Sequence, residues 1–495
     1  MGMAAAVLVL TVVGFALRVA VSQQDLFADE LSTYWIVATN DLDGVISSVN
    51  SDNEITPPLS FVAAWLSTRV ELSPEWLRAP SVLAGTLTIP AVFWLGVRTV
   101  GRSAGLVGSA LTAFAPFMVY YSAEARGYAV MMALVTLSTL AMLLAVDDRR
   151  PWAWVLYAAS SCAAVYTHYT SVFVLGAQLL WLLWAHPEAR RPALIATAAA
   201  AAAYLPWVAG FRNDLDSPTT KILALLQPFN LDQVRLSLEH WSVGYPYGNV
   251  VGLRELPGVP ALLLLAVAAV LVAAGLATQR PWPVGRRTGL VFALALATPV
   301  GAALFSAVGT TTVFSTRNLA ASWPALALAL GALVAAAGPR VRIAAAALAI
   351  ACFAIGAAKM LEDRYERPHY TAVANFIERN ADRGDVIIDE SAVLSPGPLS
   401  HLDTVLDRRN PVLRSRAPQQ RDHPFNVFDA FVTPEQSTRA ATKLAGGARI
   451  FLVTDGAGAT IHRPLGSYRL VESRVYPGLL NLVVRVYENR GARRG

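Results

Sequence analysis

Apolar runs separated by short polar connections dominate the chain from residue 3 to residue 358. Runs of about 17 to 22 apolar residues are long enough to cross a bilayer as helices, and the chain contains about eleven of them. They cover residues 3–21, 80–98, 103–121, 128–146, 151–167, 170–186, 192–210, 257–277, 288–308, 318–337 and 341–358. This pattern predicts a polytopic α-helical membrane protein.

Every second connection between these runs is short and rich in arginine. The arginines of these connections are Arg98, Arg102, Arg149, Arg150, Arg190, Arg191, Arg280, Arg286, Arg287, Arg340 and Arg342. Because positive side chains favour the cytoplasmic side, these connections and the N-terminus are predicted to be cytoplasmic. The long first loop (22–79) and a later loop (211–256) are then extracytoplasmic. Within the first loop, the apolar stretch 59–66 is too short to span the membrane and predicts a helix in the interface.

The pattern changes near residue 359, where polar residues, Pro and Gly become common. Helical periodicity predicts a helix at 370–380 and another that opens at Thr433-Pro434-Glu435. Short apolar runs of the β type predict strands at 386–388, 449–453, 469–475 and 481–487. The chain is therefore predicted to consist of a transmembrane module, 1–358, and a soluble extracytoplasmic α/β domain, 359–495.

Composition agrees with a membrane protein, since 55% of the 495 residues are hydrophobic and 15% are charged, against about a quarter in soluble domains. The formal net charge is +6. The arginines nevertheless lie in short clusters and form no continuous basic face, which excludes a nucleic-acid partner. Only three lysines occur, so nearly all positive charge is arginine. This bias suggests a GC-rich bacterial genome, and we expect a plasma-membrane location.

Two adjacent acids, Asp29 and Glu30, follow the first apolar run. If residues 3–21 span the membrane, both carboxylates lie just outside the bilayer, where they are suited to proton transfer. A structural interpretation stays open, because Asp is a favoured N-cap and Asp29 would cap a helix that begins at Glu30.

Two arginines lie in short turns on the predicted extracytoplasmic side, where positive charge is disfavoured. Arg126 follows Glu124 in one turn, and Arg317 lies in Phe314-Ser315-Thr316-Arg317-Asn318. An arginine at this depth needs an anionic partner, and its planar guanidinium group matches a phosphate. Both are therefore predicted to bind phosphate. The alternatives are that Arg126 pairs with Glu124 or with an acid of the first loop, and that Arg317 extends to lipid headgroups.

Other polar residues on the same predicted side are candidates for contacts with a substrate. They are Glu54, Glu124, Tyr128, His168 and Tyr169. A lone histidine at a helix end is more often a structural hydrogen-bonding group than a catalyst, so both interpretations of His168 stay open. Arg18, near the outer end of the first run, would either reach this site or extend to the interface. Acids and arginines at the mouth of an apolar bundle suit a lipid-linked sugar phosphate.

At these motifs the chain resembles the GT-C superfamily of membrane glycosyltransferases, in the group of protein O-mannosyltransferases and lipid A aminoarabinose transferases. The matching motifs are Asp29-Glu30, Pro57-Pro58-Leu59, Tyr121-Ser122-Ala123-Glu124-Ala125-Arg126-Gly127-Tyr128, His168-Tyr169 and Phe314-Ser315-Thr316-Arg317. The resemblance covers about residues 1 to 340. Thr56 stands where the family often has His, and Asn318 where a Tyr often follows the late Arg.

The resemblance implies an inverting glycosyltransferase that uses a polyprenyl-phosphate sugar donor and a glycan, glycolipid or protein acceptor. Asp29 would be the general base. Glu30 and Glu124 would orient the acceptor or an arginine. Arg126 and Arg317 would stabilise the departing polyprenyl phosphate. No cofactor is implied apart from an optional divalent cation, for which no ligands are identified.

Two other functions are compatible with a multi-helix membrane protein. A transporter or flippase of polyprenyl-linked sugars would need charged residues along a path within the spans, but apart from Arg18 the runs are nearly free of charge. A non-catalytic envelope protein that uses the bundle as an anchor would not need so many spans with charged outer turns. The glycosyltransferase interpretation is therefore preferred.

Overall fold

The computed structural model describes residues 2–51, 54–246, 250–278, 285–309, 311–391, 401–406, 410–414, 434–456 and 465–491. The chain forms two compact units. The first consists of Met1–Ser22 and Ile36–Met360, and the second of Gln23–Trp35 and Leu361–Gly495. The division near residue 360 is close to the predicted one. Residues 23–35, which the prediction assigned to the first loop of the transmembrane module, instead group with the second unit.

The first unit is helical, and helix α2 is shared between the units. The first helices are α1 (Met3–Ser22), α2 (Glu30–Thr39), α3 (Leu42–Val49), α4 (Leu59–Ser67), α5 (Pro74–Thr99), α6 (Arg102–Phe114), α7 (Pro116–Ser122), α8 (Tyr128–Asp147) and α9 (Pro151–Thr167). They are followed by α10 (Ser171–Ala185), α11 (Arg190–Tyr204), α12 (Val208–Asp216), α13 (Pro218–Leu226), α14 (Leu231–Val243), α15 (Val259–Thr278), α16 (Arg286–Val308), α17 (Trp323–Ala336) and α18 (Pro339–Lys359).

All eleven predicted spans coincide with helices. Among the described residues, eight helical segments are long and apolar enough to cross a membrane, and α6 with α7 forms a ninth, bent by 58°. The remaining two predicted spans are α9 with 17 residues and α10 with 15. The predicted multi-pass helical membrane fold is confirmed. The short helix predicted at 59–66 is α4, and its location in the membrane interface stays a prediction.

The bend between α6 and α7 follows from Pro116, which has no N–H to donate to the carbonyl of Thr112. A buried arginine from α1 replaces that donor: Arg18 Nη2 donates to the Thr112 carbonyl at 3.0 Å and Nη1 to the Ala113 carbonyl at 3.3 Å. Arg18 Nε also donates to Ser122 Oγ at 3.1 Å. Arg18 is completely buried, so it does not extend to the interface, and a role at the site stays a prediction. Arg18 holds together the broken helix.

Two glycines make room for this arginine. A Cβ atom on Gly85 would lie 1.9 Å from Ser122 Oγ and 3.2 Å from Arg18 Nε. A Cβ atom on Gly14 would lie 2.4 Å from Ile89 Cδ1 and 3.1 Å from Arg18 Nη1. Both contacts are shorter than packed side chains tolerate, so α1, α5 and α7 approach closely only because these residues are glycine.

The arginine-rich connections meet at one end of the first unit. Arg98, in the second connection, pairs with Asp148 of the fourth connection at 2.8 Å. Arg287, at the start of α16, pairs with Asp147 at 2.6 Å and donates to the carbonyl of Arg98 at 2.7 Å. These contacts agree with the alternation predicted from the arginine pattern. The assignment of this end to the cytoplasm stays a prediction.

The second unit contains a mixed sheet with helices on its two faces. Its elements after residue 360 are α19 (Tyr370–Asn380), β1 (Val386–Glu390), β2 (Val412–Arg414), α20 (Pro434–Ala445), β3 (Ile450–Asp455), β4 (Tyr468–Tyr476) and β5 (Leu482–Asn489). The strand order is β2-β1-β3-β5-β4. Strands β2, β1 and β3 are parallel to one another. Strand β5 is antiparallel to both of its neighbours, β3 and β4. The predicted α/β domain is confirmed, and β2 was not predicted because its run is only three residues long.

Alternate residues of β1 and β3 enter two separate cores, as expected for parallel strands that are covered on both faces. Ile387 and Phe451 pack with Val373 and Ile377 of α19 in one core. The other core contains Val386, Ile388, Ile450 and Leu452 with Ala441 and Ala445 of α20. The sheet is therefore the middle layer of the second unit.

Candidate functional site

The predicted phosphate ligand Arg126 is bound by a carboxylate of the first loop. Its Nη1 donates to Glu54 Oε2 at 3.0 Å, its Nη2 donates to Glu54 Oε1 at 2.9 Å, and Nη2 also reaches Thr56 Oγ1 at 3.3 Å. The side chains of Arg126 and Glu54 are only 8% and 7% exposed. The structure therefore shows the alternative in which Arg126 pairs with an acid of the first loop. Its phosphate-binding role stays a prediction.

Local geometry of the first loop orients Glu54 for this pair. Its Oε1 accepts hydrogen bonds from the Ile55 main-chain N–H at 3.1 Å and from the Thr56 hydroxyl at 2.8 Å. Pro57 and Pro58 then fix the chain direction immediately before α4 begins at Leu59. A carboxylate held in place by neighbouring donors is well oriented for a bidentate contact with an arginine.

Three separate turns of the first unit converge on His168. Arg126 and Arg317 both act on its imidazole electrostatically, and the ring centroid of Tyr128 lies 5.2 Å from that of His168. Tyr121, whose ring is 4.8 Å from that of Tyr128, lies within electrostatic range of Arg317 and of the buried Glu124. The predicted residues of these turns thus form one polar cluster, although they are far apart in sequence.

His168 is neutral in this cluster. Burial, followed by the positive charges of Arg126 and Arg317, lowers the pKa of His168 to about 3. Its Nδ1 accepts a hydrogen bond from the main-chain N–H of Thr170 at 3.4 Å and lies 3.0 Å from the Thr170 hydroxyl oxygen. The neutral tautomer that accepts at Nδ1 carries its proton on Nε2, so His168 provides an N–H donor beside two arginines.

Tyr169 contacts a buried acid that was not singled out from the sequence. Its hydroxyl group donates to Asp214 Oδ2 and accepts from Trp207 Nε1 at 3.2 Å. Burial, followed by the negative charge of Asp214, raises the pKa of Tyr169. Among the described residues, Oδ1 of Asp214 has no hydrogen-bond partner. The only signal for Asp214 was its position at the start of the loop predicted at 211–256, where nothing marked it as buried.

The acidic pair belongs to the second unit. Helix α2 begins at Glu30, as in the capping interpretation of Asp29, and Asp29 itself is half-buried. Ala28, immediately before it, has a φ of +51°. This left-handed conformation costs a non-glycine residue about 1–3 kcal/mol and persists only where surrounding contacts hold it. A strained residue beside the predicted catalytic carboxylate is characteristic of a functional segment.

Glu30 is buried and paired. Its Oε2 lies 3.4 Å from Arg367 Nε, and each side chain is only 1% exposed. The same oxygen accepts from the main-chain N–H of Phe27 at 3.2 Å. Arg367 was missed because no local pattern links it to Glu30. The catalytic role of Glu30 stays a prediction.

Metal binding was left open by the sequence. Among the residues that the structure describes, no group of three or more His, Cys, Asp or Glu side chains is arranged to hold a metal ion. The optional divalent cation stays a prediction without an assigned set of ligands.

Comparison with known proteins identifies the fold. Residues 56–225 match the family model described as dolichyl-phosphate-mannose-protein mannosyltransferase. The crystal structure of ArnT from Cupriavidus metallidurans bound to undecaprenyl phosphate superimposes with a TM-score of 0.52 at 15% identity, covering 97% of each chain. This chain has the GT-C fold. The resemblance predicted from the sequence motifs is confirmed.

A second GT-C protein shows a weaker likeness. It is the archaeal oligosaccharyltransferase AglB from Archaeoglobus fulgidus, solved with an inhibitory peptide and a dolichol phosphate. It matches with a TM-score of 0.48 at 12% identity, covering 92% of this chain and 69% of that one. No curated protein sequence gives a significant match.

Proposed function

We propose that this GT-C protein is an inverting glycosyltransferase that moves a sugar from a polyprenyl-phosphate donor to a cell-envelope glycan, lipid or protein on the extracytoplasmic face. The observation that carries the proposal is the convergence of Arg126, Arg317 and His168 from three turns in a chain of this fold. Two arginines and an N–H donor beside apolar helices suit a lipid-linked phosphate.

The donor class is supported by the comparisons. The family model that matches residues 56–225 is named for dolichyl-phosphate mannose, and the ArnT structure with the same fold contains undecaprenyl phosphate. Both are polyprenyl phosphates, whose apolar chain would lie in the bilayer while the phosphate stays at its surface. A hexose or a pentose would suit this chemistry equally.

The proposed reaction is a single displacement. The Asp29 carboxylate accepts the proton of an acceptor hydroxyl group, and the acceptor oxygen forms a bond to the anomeric carbon of the sugar. The bond between that carbon and the phosphate oxygen breaks, and its electron pair stays on the departing polyprenyl phosphate. Attack opposite the leaving group inverts the anomeric configuration. A positioned general base contributes about 10²- to 10⁴-fold in rate.

Arg126 and Arg317 are both candidates for the phosphate. Arg317 is half-buried. Both terminal nitrogens of Arg126 bind Glu54, so a phosphate at Arg126 would have to compete with that carboxylate. In line with the family resemblance, we propose that Arg317 contacts the donor phosphate and that Arg126 adds positive charge nearby.

The test is sugar transfer by the purified full-length protein in nanodiscs, with envelope extract as acceptor. Radiolabelled undecaprenyl-phosphate derivatives of mannose, arabinose and an aminoarabinose serve as donors. Asp29→Asn is expected to abolish transfer from the donor that the wild type uses. Asp43→Asn, an exposed acid of α3 in the first loop, is the matched control and should retain activity.

Two outcomes would overturn the proposal. Full transfer by a folded Asp29→Asn protein would remove Asp29 as the base. Absence of transfer from every donor, with tight binding of undecaprenyl phosphate intact, would favour a transporter of polyprenyl-linked sugars.

A further inference from the structure

The segment that carries Asp29 is held by residues of the second unit located far along the chain. The main-chain N–H of Arg367 donates to the side-chain oxygen of Gln24 at 3.2 Å. Asp25 accepts from the main-chain N–H of Thr371 at 2.8 Å and from the hydroxyl group of the same residue at 2.5 Å. These contacts attach residues 24–25 to the start of α19.

A buried histidine holds the residue immediately before Asp29. The strained Ala28 donates its main-chain N–H to His401 Nε2 at 2.9 Å. The His401 ring stacks on Tyr370 with ring centroids 4.5 Å apart, and its centroid lies 5.9 Å from that of Phe27. Because Nε2 accepts a hydrogen bond, the proton of the neutral ring is on Nδ1. His401 therefore provides an acceptor fixed in position by ring contacts on two sides.

The residue immediately after Asp29 is held by a buried charge pair. Glu30 Oε2 lies 3.4 Å from Arg367 Nε and accepts from the Phe27 main-chain N–H at 3.2 Å. Arg367 thus contacts both the beginning of the segment, through its main chain, and the first residue of α2, through its side chain. Asp29 lies between two anchored neighbours.

We propose that His401 and Arg367 are positioning residues for Asp29, so that the second unit serves to set the geometry of the catalytic segment. His401 holds Ala28 in its left-handed conformation, and Arg367 fixes the start of α2 through Glu30. The inference rests on the proposed role of Asp29 as general base. By this inference the C-terminal α/β domain positions Asp29 for the reaction without contacting the reacting atoms.

His401 variants test the hydrogen bond to Ala28. His401→Leu removes the acceptor, whereas His401→Gln places an amide oxygen near the position of Nε2. In the full-length protein in nanodiscs, His401→Leu should lower kcat for the active donor of the panel about 10²-fold, the loss expected for a catalytic group displaced by about 1 Å. The KM for the donor and the Kd for undecaprenyl phosphate should not change. His401→Gln should restore most of kcat.

Hydrogen–deuterium exchange of peptides covering residues 23–35 reports the anchoring directly and does not depend on turnover. His401→Leu should raise the exchange rate in this segment at least about 10-fold, because a lost acceptor frees the Ala28 amide. Arg367→Met should do the same around Glu30, and Arg367→Lys, which retains the charge, should have a smaller effect.

Val453→Ala is the matched control, since Val453 is completely buried in β3 and lies in the core that packs against α19. It should lower the stability of the second unit without loosening residues 23–35 at a temperature where the protein is folded. Unchanged exchange in His401→Leu, or an equal loss of kcat in Val453→Ala, would overturn the inference. An inactive Asp29→Asn together with a fully active His401→Leu would reject this inference and leave the proposed function standing, whereas an active Asp29→Asn would reject the proposed base.

Discussion

Two buried arginine–glutamate pairs, one in each unit, connect to the predicted catalytic groups in different ways. In the first unit, Arg126 binds both carboxylate oxygens of Glu54, at 3.0 and 2.9 Å. In the second unit, Arg367 approaches one oxygen of Glu30 through Nε, at 3.4 Å. Both pairs are shielded from water, and the first has the planar bidentate geometry that makes such a pair strong.

The two pairs differ in the chain segment that carries each glutamate. Glu54 belongs to a loop that it also orders through Ile55 and Thr56, so the first pair attaches this loop to the turn that contains Arg126. Glu30 starts α2 directly after Asp29, so the second pair lies beside the proposed general base. The first pair is expected to affect stability, and the second to affect turnover.

Breaking the pair in the first unit should produce the largest effect on stability. Arg126→Met leaves the Glu54 carboxylate buried without its counter-charge, which typically costs about 3–5 kcal/mol. The double variant Glu54→Gln with Arg126→Met should recover much of that loss, because no unpaired buried charge remains. Thermal unfolding in detergent of both single variants and the double variant measures the coupling. Additive losses would show that the two side chains do not act as a pair.

Substitution of Arg317 tests the remaining arginine of the cluster, whose expected effect is on catalysis. Arg317→Ala should reduce transfer about 10²- to 10³-fold, equivalent to about 3–4 kcal/mol of barrier, as for the loss of one donor to a developing anion. Arg317→Lys should recover only part, because an ammonium group cannot reproduce the planar fork. Arg212→Ala, an exposed arginine of α12, is the control. Equal activity of Arg317→Ala and Arg212→Ala would remove Arg317 from the phosphate site.

The sequence predicts the helices and strands well because their signals are local. Apolar runs of sufficient length locate the spans, and the predicted helix at 370–380 matches α19. The break at Pro116 was missed although the proline stands within the predicted span 103–121, because a proline in a membrane helix does not reveal whether the helix bends. The partners of Arg18 were missed because they are backbone carbonyls, which every residue possesses.

The candidate site is predictable only in part. Every second connection between successive spans lies on the same side, which places Glu54, Arg126 and His168 at the same end of the helices. This could be inferred from the order of the spans. By contrast, Arg367 and His401 contact the segment of Asp29 across more than three hundred residues of sequence. Nothing near either residue in the chain indicates a partner so far away. Pairing between distant segments is a property of the tertiary fold.

A glycine substitution tests the packing around a third buried arginine, Arg18, whose partners among the described residues are a hydroxyl group and backbone carbonyls. Gly85→Ala would place Cβ 1.9 Å from Ser122 Oγ and 3.2 Å from Arg18 Nε, so α5 or α7 must move. Overpacking of this kind costs about 1–3 kcal/mol. The additional substitution Ser122→Gly should relieve most of the loss by removing the nearest atom. If thermal unfolding shows no loss for Gly85→Ala alone, the close approach of α5 and α7 is wrong.

Two buried histidines, one in each unit, are expected to make stability depend on pH. Burial lowers the pKa of both His168 and His401 to about 3, against about 6.5 in an unfolded chain. Below pH 6.5 the unfolded state binds a proton that the folded state does not, so each histidine makes stability fall as the pH decreases toward 3. The loss approaches about 1.4 kcal/mol per pH unit for each residue. His168→Asn and His401→Gln should each flatten the profile between pH 4 and 6 relative to the wild type. A profile unchanged by His401→Gln would mean that His401 is not held neutral against Ala28.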